Sequence, residues 1–307
     1  MPSSTTIQFI ERNAIDVLKW DECIDKASNG LLYAKSQYLD VMCTNWSALV
    51  QNDYERVMPI PWRKKWGFSY IYPPYFIAAL GVFGDGLTPD LMQLFLNGIP
   101  KKFKYWEIDL NEANKATDFA KVQPTKRRNF FLHLNQSYEV LYKNYSRLAK
   151  RKLALATEHG LEVHRHIDPQ IIIQFYQKHY EENKRIIPGE VYNNLNNLFK
   201  LLQTENYQAY LVKNKNEIVA FYLVLIDKRN VYSLIGGSTK EGKQTGAFYM
   251  ATDAAITEFS NSDKIFRFEG SDKKGIAFFN SQFGSFETEY LRIKMNNLPW
   301  PINYFKD

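Results

Sequence analysis

The chain has 307 residues, enough to build two hydrophobic cores without disulfide or metal staples. Its 39 Lys and Arg against 33 Asp and Glu leave a net charge of +6, too mild to choose between a small-molecule enzyme and a polyanion binder. The excess is local, because nine cations between Lys121 and Lys152 meet the single acid Glu139.

The apolar run Val219 to Ile226 falls far short of the roughly 18 residues a membrane span needs. The start, Met1-Pro2-Ser3-Ser4-Thr5-Thr6, offers neither a basic lead nor an apolar segment, so the expectation is no secretory signal and a cytoplasmic location. Cys23 and Cys43 are too few for a disulfide framework or a four-cysteine zinc site and are expected as reduced, buried thiols.

In chain order, a short strand is expected at Thr6 to Ile10 and a helix at Ala14 to Lys26, where Ile15, Val17, Leu18 and Ile24 fall near helical spacing. A second helix, Ser36 to Thr44, opens on a serine suited to capping. Strands Tyr54 to Trp62 and Phe68 to Tyr72 are joined by the basic turn Arg63-Lys64-Lys65-Trp66-Gly67, and Pro73-Pro74 stops the second. Thr88-Pro89 reads as a cap followed by proline at the first helical position, with the helix running to about Asn97. A strand returns at Lys104 to Asp109, and the polar segment Ala113 to Thr125 reads as a connector.

The second half opens with a short strand, Phe130 to Leu134. A long helix follows at 137–159, ended by Gly160. Leu141, Tyr145 and Leu148 form its apolar stripe, while Lys143, Arg147, Lys150 and Arg151 line another face. Helices are expected at Pro169 to Asn183 and Gly189 to Gln203. Strands then come at Tyr207 to Lys213, Glu217 to Asp227 and Asn230 to Gly237, with Lys215-Asn216 as a hairpin turn. A helix from Thr245 to about Ser260, strand Lys264 to Phe268, helix Gly275 to Gln282 and strand Phe286 to Met295 complete the order.

This order of elements resembles the GNAT acyltransferase fold, and the first half repeats an abbreviated form of it. Two stretches sharpen the likeness. Arg127-Arg128-Asn129-Phe130-Phe131-Leu132, followed by Tyr145 to Ala156 and Gly160-Leu161-Glu162-Val163, is similar to the linking helix of FemABX-type proteins. Phe266-Arg267-Phe268-Glu269-Gly270-Ser271, with Gly275 to Gly284 after it, resembles that family's C-terminal signature. The resemblance implies a mixed α/β fold with two tandem GNAT-like domains. These are residues 1–125 on the acceptor side and 126–307 on the donor and catalytic side, the latter including the linking helix 137–159.

It also implies an N-acyltransferase that forms an amide by direct transfer to an amine. The donor would be aminoacyl-tRNA or acyl-CoA as co-substrate, with no tightly bound cofactor, and the acceptor an amine-bearing small molecule or cell-envelope precursor. Two alternatives stay open: a CoA-dependent GNAT N-acetyltransferase, and a non-catalytic GNAT-fold binding module. The loop Gly236 to Ala247 has glycines but not the Gln/Arg-x-x-Gly-x-Gly/Ala spacing of acetyl-CoA enzymes. No long heptad insertion of the coiled-coil arm kind is present either.

On that reading the site lies near Leu234 to Ser238 and Phe268 to Ser271. Glu269 is the first candidate for general base, set against a carboxylate that only pairs within its turn. Tyr249 is a candidate leaving-group acid or stacking ring, set against simple packing. Gly237, Ser238, Lys240, Lys243, Gly246, Lys273 and Lys274 are candidates for holding the donor's phosphates, set against solvated loop lysines. Lys143, Arg147, Lys150 and Arg151 are candidates for tRNA contact, set against a solvated face. Trp62 to Trp66 and Tyr72 to Tyr75 interleave aromatics and cations as an acceptor groove or a decorated hairpin tip. His164 and His166 share one strand face at a spacing of two, without a third ligand at a convincing offset, so no metal is expected. No Gly-x-Ser-x-Gly, Walker or His-Glu-x-x-His motif occurs.

Overall fold

The computed structural model describes residues 6–115, 123–182 and 187–306; Lys121, the middle of the expected connector and Asn183 lie outside the described residues. The chain divides into two compact units, Met1–Arg127 with Glu289–Asp307, and Arg128–Thr288. The C-terminal residues thus belong with the first unit, where the sequence suggested a single cut near residue 125. The fold is mixed α/β.

The first unit comprises β1 (Ile7–Glu11), α1 (Val17–Lys26), α2 (Ser36–Met42), β2 (Trp46–Gln51), β3 (Arg56–Lys65), β4 (Phe68–Ile71), α3 (Pro89–Asn97) and β5 (Phe103–Asp109). β6 (Gln123–His133) then enters the second unit. There follow α4 (Tyr138–Lys143), α5 (Arg147–Glu158), β7 (Leu161–His164), α6 (Pro169–Glu182), α7 (Gly189–Leu201), β8 (Tyr207–Asn214), β9 (Glu217–Ile226) and β10 (Asn230–Ser238). Next are α8 (Lys240–Thr245), α9 (Ala247–Phe259), β11 (Ile265–Arg267), α10 (Lys274–Asn280) and β12 (Phe286–Asn296), whose later residues lie in the first unit.

In the first unit β1 to β4 are antiparallel neighbours in sequence order, β4 lies parallel to β5, and β5 is antiparallel to β12. The second unit has the same order of directions: β7 to β10 antiparallel, β10 parallel to β11, and β11 antiparallel to β6. In each, a crossover through a helix connects the parallel pair, as parallel pairing requires.

Local chemistry explains several boundaries. Asp16 begins α1 by accepting from the amides of Leu18 and Lys19, two residues later than the periodicity suggested. Thr88 caps α3 ahead of Pro89, as read. Ser36 is not a cap: its hydroxyl donates to Asp21 at 2.6 Å and ties α2 to α1. The β3–β4 turn shrinks to Trp66-Gly67, because φ values of +50° and +82° let two residues close the hairpin and carry β3 to Lys65.

The helix expected over 137–159 is broken. The chain leaves α4 at Asn144, and Ser146 restarts α5 by accepting from the Ala149 amide at 3.1 Å. Gln282 fixes the break, accepting from the Ser146 amide at 2.9 Å and from its hydroxyl at 2.6 Å. Lys143 therefore stands on a different helix from Arg147, Lys150 and Arg151, and the four are not one continuous ridge.

β9 separates the two faces of the second unit. Phe221 meets Phe175, Tyr176 and His179 of α6, while its neighbour Tyr222 meets Phe248 of α9, as strand alternation requires. On the α9 face Ala247, Ala251, Ala254, Ala255 and Ile256 are buried, small enough for the helix to lie close to β8 and β9.

Candidate functional site

The site follows from how β10 and β11 part. They pair only over Asn230–Tyr232 and Ile265–Arg267, yet β10 runs on to Ser238 against β9, with a bulge between Ser233 and Ile235. Beyond Tyr232 no strand among the described residues covers the β11-facing edge of β10. Alternate N–H groups from Leu234 to Ser238 therefore point into an unpaired edge.

At the far end of β10 a cavity of about 340 Å³ opens between α6, β9 and the start of α8. Phe175, Val219, Ala220 and Phe221 supply its apolar wall. Ser238, Thr239, Lys240, Lys243, Lys178 and His179 supply its polar groups, and among the described residues no acid lines it. The structure thus gathers Ser238, Lys240 and Lys243 from the expected donor loop. Gly237 adjoins them, since a Cβ there would sit 2.8 Å from Phe221 Cζ and 3.5 Å from His179 Cδ2.

Lys178 and His179 were not singled out in the sequence. They belong to a helix recognisable by its apolar spacing, but only the packing of α6 on β9 brings them to β10. Their i, i+1 placement beside Phe175 carries no signal of its own.

Gly246 does not join this cavity. It ends α8 in the left-handed conformation at φ +82°, and a Cβ there would fall 2.4 Å from the Lys152 carbonyl oxygen. Gly242 packs on β9 in the same way, its Cβ position 2.1 Å from the Val219 carbonyl oxygen. These loop glycines serve close packing. With Gly246 and Ala247 buried, the N-terminus of α9 is covered by α8 and presents no open cradle of amides. Lys152 completes the joint by donating to the Lys243 and Gln244 carbonyls at 3.4 and 3.1 Å.

Glu269 stands just past β11 with a left-handed φ of +52°. Arg267 Nε lies 3.1 Å from one carboxylate oxygen, and Asn129 Nδ2 donates to the other at 2.6 Å. The Glu269 amide donates back to Asn129 Oδ1 at 3.0 Å, and the Arg267 guanidinium covers the Phe131 ring at 4.3 Å. The partner is Arg267 rather than the Asp272-Lys273-Lys274 turn. Both donors favour the ionised carboxylate and so make Glu269 a weaker proton acceptor. Lys273 and Lys274 are exposed around the start of α10, outside the cavity.

Tyr249 lies half-buried on α9 against Phe279 and Phe283, at 4.8 and 5.7 Å between ring centroids. Phe283 in turn stacks on Phe268, beside Glu269. Burial pushes the Tyr249 phenol above its ordinary range, so it holds its proton at neutral pH.

The basic residues before the site divide by use. Lys150 donates to the Lys143 carbonyl at 2.9 Å, capping α4, and lies 5.5 Å from the Tyr142 ring. Arg147 and Arg151 are exposed on α5. His164 ends β7 beside Glu162 at 3.7 Å, whereas His166 follows the strand at φ +54° with its Nδ1 3.3 Å from Gln208 Nε2. The two histidines do not share a strand face, and no group of three metal-ligating side chains occurs among the described residues.

No family model matches the chain, and no curated protein matches it. Its fold is shared with solved structures. FemX matches with a TM-score of 0.70 and 14% identity over 95% of this chain and 98% of its own. L-PGS from Bacillus licheniformis matches at 0.55 and 11% over 94% and 95%. A tandem GNAT protein from the clavulanic acid biosynthesis pathway matches at 0.52 and 9% over 96% and 99%. At these identities the likeness is one of fold.

Proposed function

We propose that the chain is an N-acyltransferase built from two GNAT-like units, forming an amide by direct transfer of an acyl or aminoacyl group to an amine. The observation that carries this reading is the parting of β10 from β11, which leaves an unpaired strand edge beside a cationic cavity. The cell-envelope acceptor is an extension of the likeness to FemX and belongs to the proposal alone.

In this mechanism Lys178, Lys240 and Lys243 hold the phosphates of the donor, and the acyl group lies along the open edge of β10. The amine nitrogen attacks the acyl carbonyl carbon and a C–N bond forms. The resulting oxyanion is met by the outward N–H groups of Leu234 to Ser238. His179, whose ring lies beside Gly237, takes the amine's proton, a role imidazole fills well near neutral pH. The bond from carbon to the donor's oxygen or sulfur then breaks, and the leaving atom is protonated. Tyr249 supplies that proton if the leaving group reaches its hydroxyl, and Glu269 with Arg267 holds the end of β11.

The buried N-terminus of α9 favours a donor whose anion rests on lysine side chains over one cradled by backbone amides. Aminoacyl-tRNA and acyl-CoA both carry phosphates that these lysines can hold, and phosphate contacts of Arg147 and Arg151 go with the tRNA donor.

The test measures acyl transfer to a panel of amines from aminoacyl-tRNA and acyl-CoA. His179→Gln is expected to lower turnover by about 100-fold or more with donor affinity retained. Undiminished turnover removes His179 from the mechanism, and binding of neither donor by the wild-type protein removes the transferase reading.

A further inference from the structure

We infer that one end of the first unit docks on an anionic lipid surface. Strand registers bring three segments together there. Lys64 of β3 pairs with Ser69 of β4 beside the Trp66-Gly67 turn, and Ser69 lies beside Phe103 at the start of β5. Asn297, just past β12, donates its amide to the Lys104 carbonyl at 2.8 Å, and Asn296 Nδ2 donates to the Asn303 carbonyl at 2.9 Å. The hairpin turn, the entry to β5 and the tail after β12 therefore share one end of the sheet.

That end carries the three most exposed aromatic side chains among the described residues: Trp66 at 71%, Trp300 at 84% and Tyr304 at 79%. Lys64, Lys65, Lys101 and Lys104 are exposed around them and form no ion pair among the described residues. Residues 62–70, 99–105 and 294–306 contain no Asp or Glu. Glu11, which ends β1 at the same side, is already paired with Lys102 at 2.7 Å.

Indole and phenol rings combine apolar area with a polar tip and settle at the headgroup level of a bilayer. Each lysine facing an anionic leaflet adds about fivefold in affinity. Aromatics that serve nucleic acids line a charged groove on which bases stack. Here the rings project from a turn and a tail, which fits insertion into a soft interface better. No helix among the described residues is long and apolar enough to cross a membrane, so the contact is a peripheral one. Docking by this end of the first unit does not depend on acyl transfer by the second.

The experiment is sedimentation of the full chain with vesicles of phosphatidylglycerol and phosphatidylcholine, and of phosphatidylcholine alone. Binding to the anionic vesicles is expected to be about tenfold tighter or more, and to weaken as salt rises. Trp66→Ser with Trp300→Ser is expected to cut that binding by about tenfold. Lys64→Gln with Lys65→Gln and Lys101→Gln is expected to abolish the preference for phosphatidylglycerol. Failure to bind either vesicle, binding that neither set of substitutions alters, or capture of single-stranded RNA without vesicle binding would overturn the assignment.

Discussion

Arg267 and Glu269 face each other at 3.1 Å across a single residue, with only 6% and 10% of their side chains exposed. A charge pair this deep is strongly destabilising to break, because the partner left behind is buried and uncompensated. Glu269→Ala is expected to cost about 3 kcal/mol, read as a lower urea midpoint. Glu269→Gln keeps the shape and an acceptor oxygen and should cost less. If Glu269 is instead the proton acceptor, Glu269→Gln abolishes transfer well beyond what its lowered midpoint explains, whereas a positioning role lowers turnover only in step with the midpoint. Measuring both properties on one variant separates positioning from catalysis.

The loop between β10 and α9 makes a second, sterically defined prediction. A methyl at Gly242 would meet the Val219 carbonyl oxygen at 2.1 Å, and one at Gly246 would meet that of Lys152 at 2.4 Å in a left-handed backbone. Both obstacles are main-chain atoms, so neither can swing aside. Gly242→Ala and Gly246→Ala are each expected to lose about 2 kcal/mol or more, whereas Gly275→Ala, open on all sides, should be close to neutral. Thermal denaturation of the three variants checks the ranking.

The sequence carried the second unit's order well because its elements are long and bounded. The hairpin at Lys215-Asn216 and the apolar faces of α6 and α9 have periodicities that burial then used. It carried β2 poorly: Trp46–Gln51 is buried at every position, so it lacks the alternation that marks a half-buried strand. The break at Ser146 was hidden for a different reason. Its local propensity is helical on both sides, and the competing partner, Gln282, lies 136 residues away. The same distance effect governs the site. Ser238, Lys240 and Lys243 are neighbours in sequence and could be found together, while Lys178 and His179 join them only through the packing of α6 on β9.

The cavity lysines make a prediction that distinguishes donors. Lys178, Lys240 and Lys243 are exposed, so replacing them should leave stability within a few tenths of a kcal/mol. Each change to Gln is expected to weaken binding of a tRNA donor by about three- to tenfold, and to lower the salt slope by about one. Arg147→Gln and Arg151→Gln should act in the same direction only if the donor is long enough to reach α5. Filter binding over a salt series reads all five variants. Equal slopes for the wild type and the triple lysine variant would remove the cavity as a phosphate site.

Acid sensitivity should centre on two carboxylates of the first unit. Burial works against the Asp40 charge, but the guanidinium of Arg12 and the indole N–H of Trp46, at 2.6 and 2.8 Å, outweigh it and hold the carboxyl below its ordinary value of 3.8. Glu11, bonded by Lys102 and by the Ser47 hydroxyl, is likewise held below 4.5. Above these ordinary values both the folded and unfolded chains are ionised, and the full stabilisation is present. As pH falls below them the unfolded chain takes up protons first, and stability is lost until the folded groups are protonated too. Both pairs are partly exposed, so the loss is modest and is weakened by salt. The urea midpoint of the wild type is therefore expected to fall between about pH 5 and pH 2. Asp40→Asn and Glu11→Gln should each start lower at neutral pH and show a flatter descent, and a descent as steep as that of the wild type would assign the acid response to other groups.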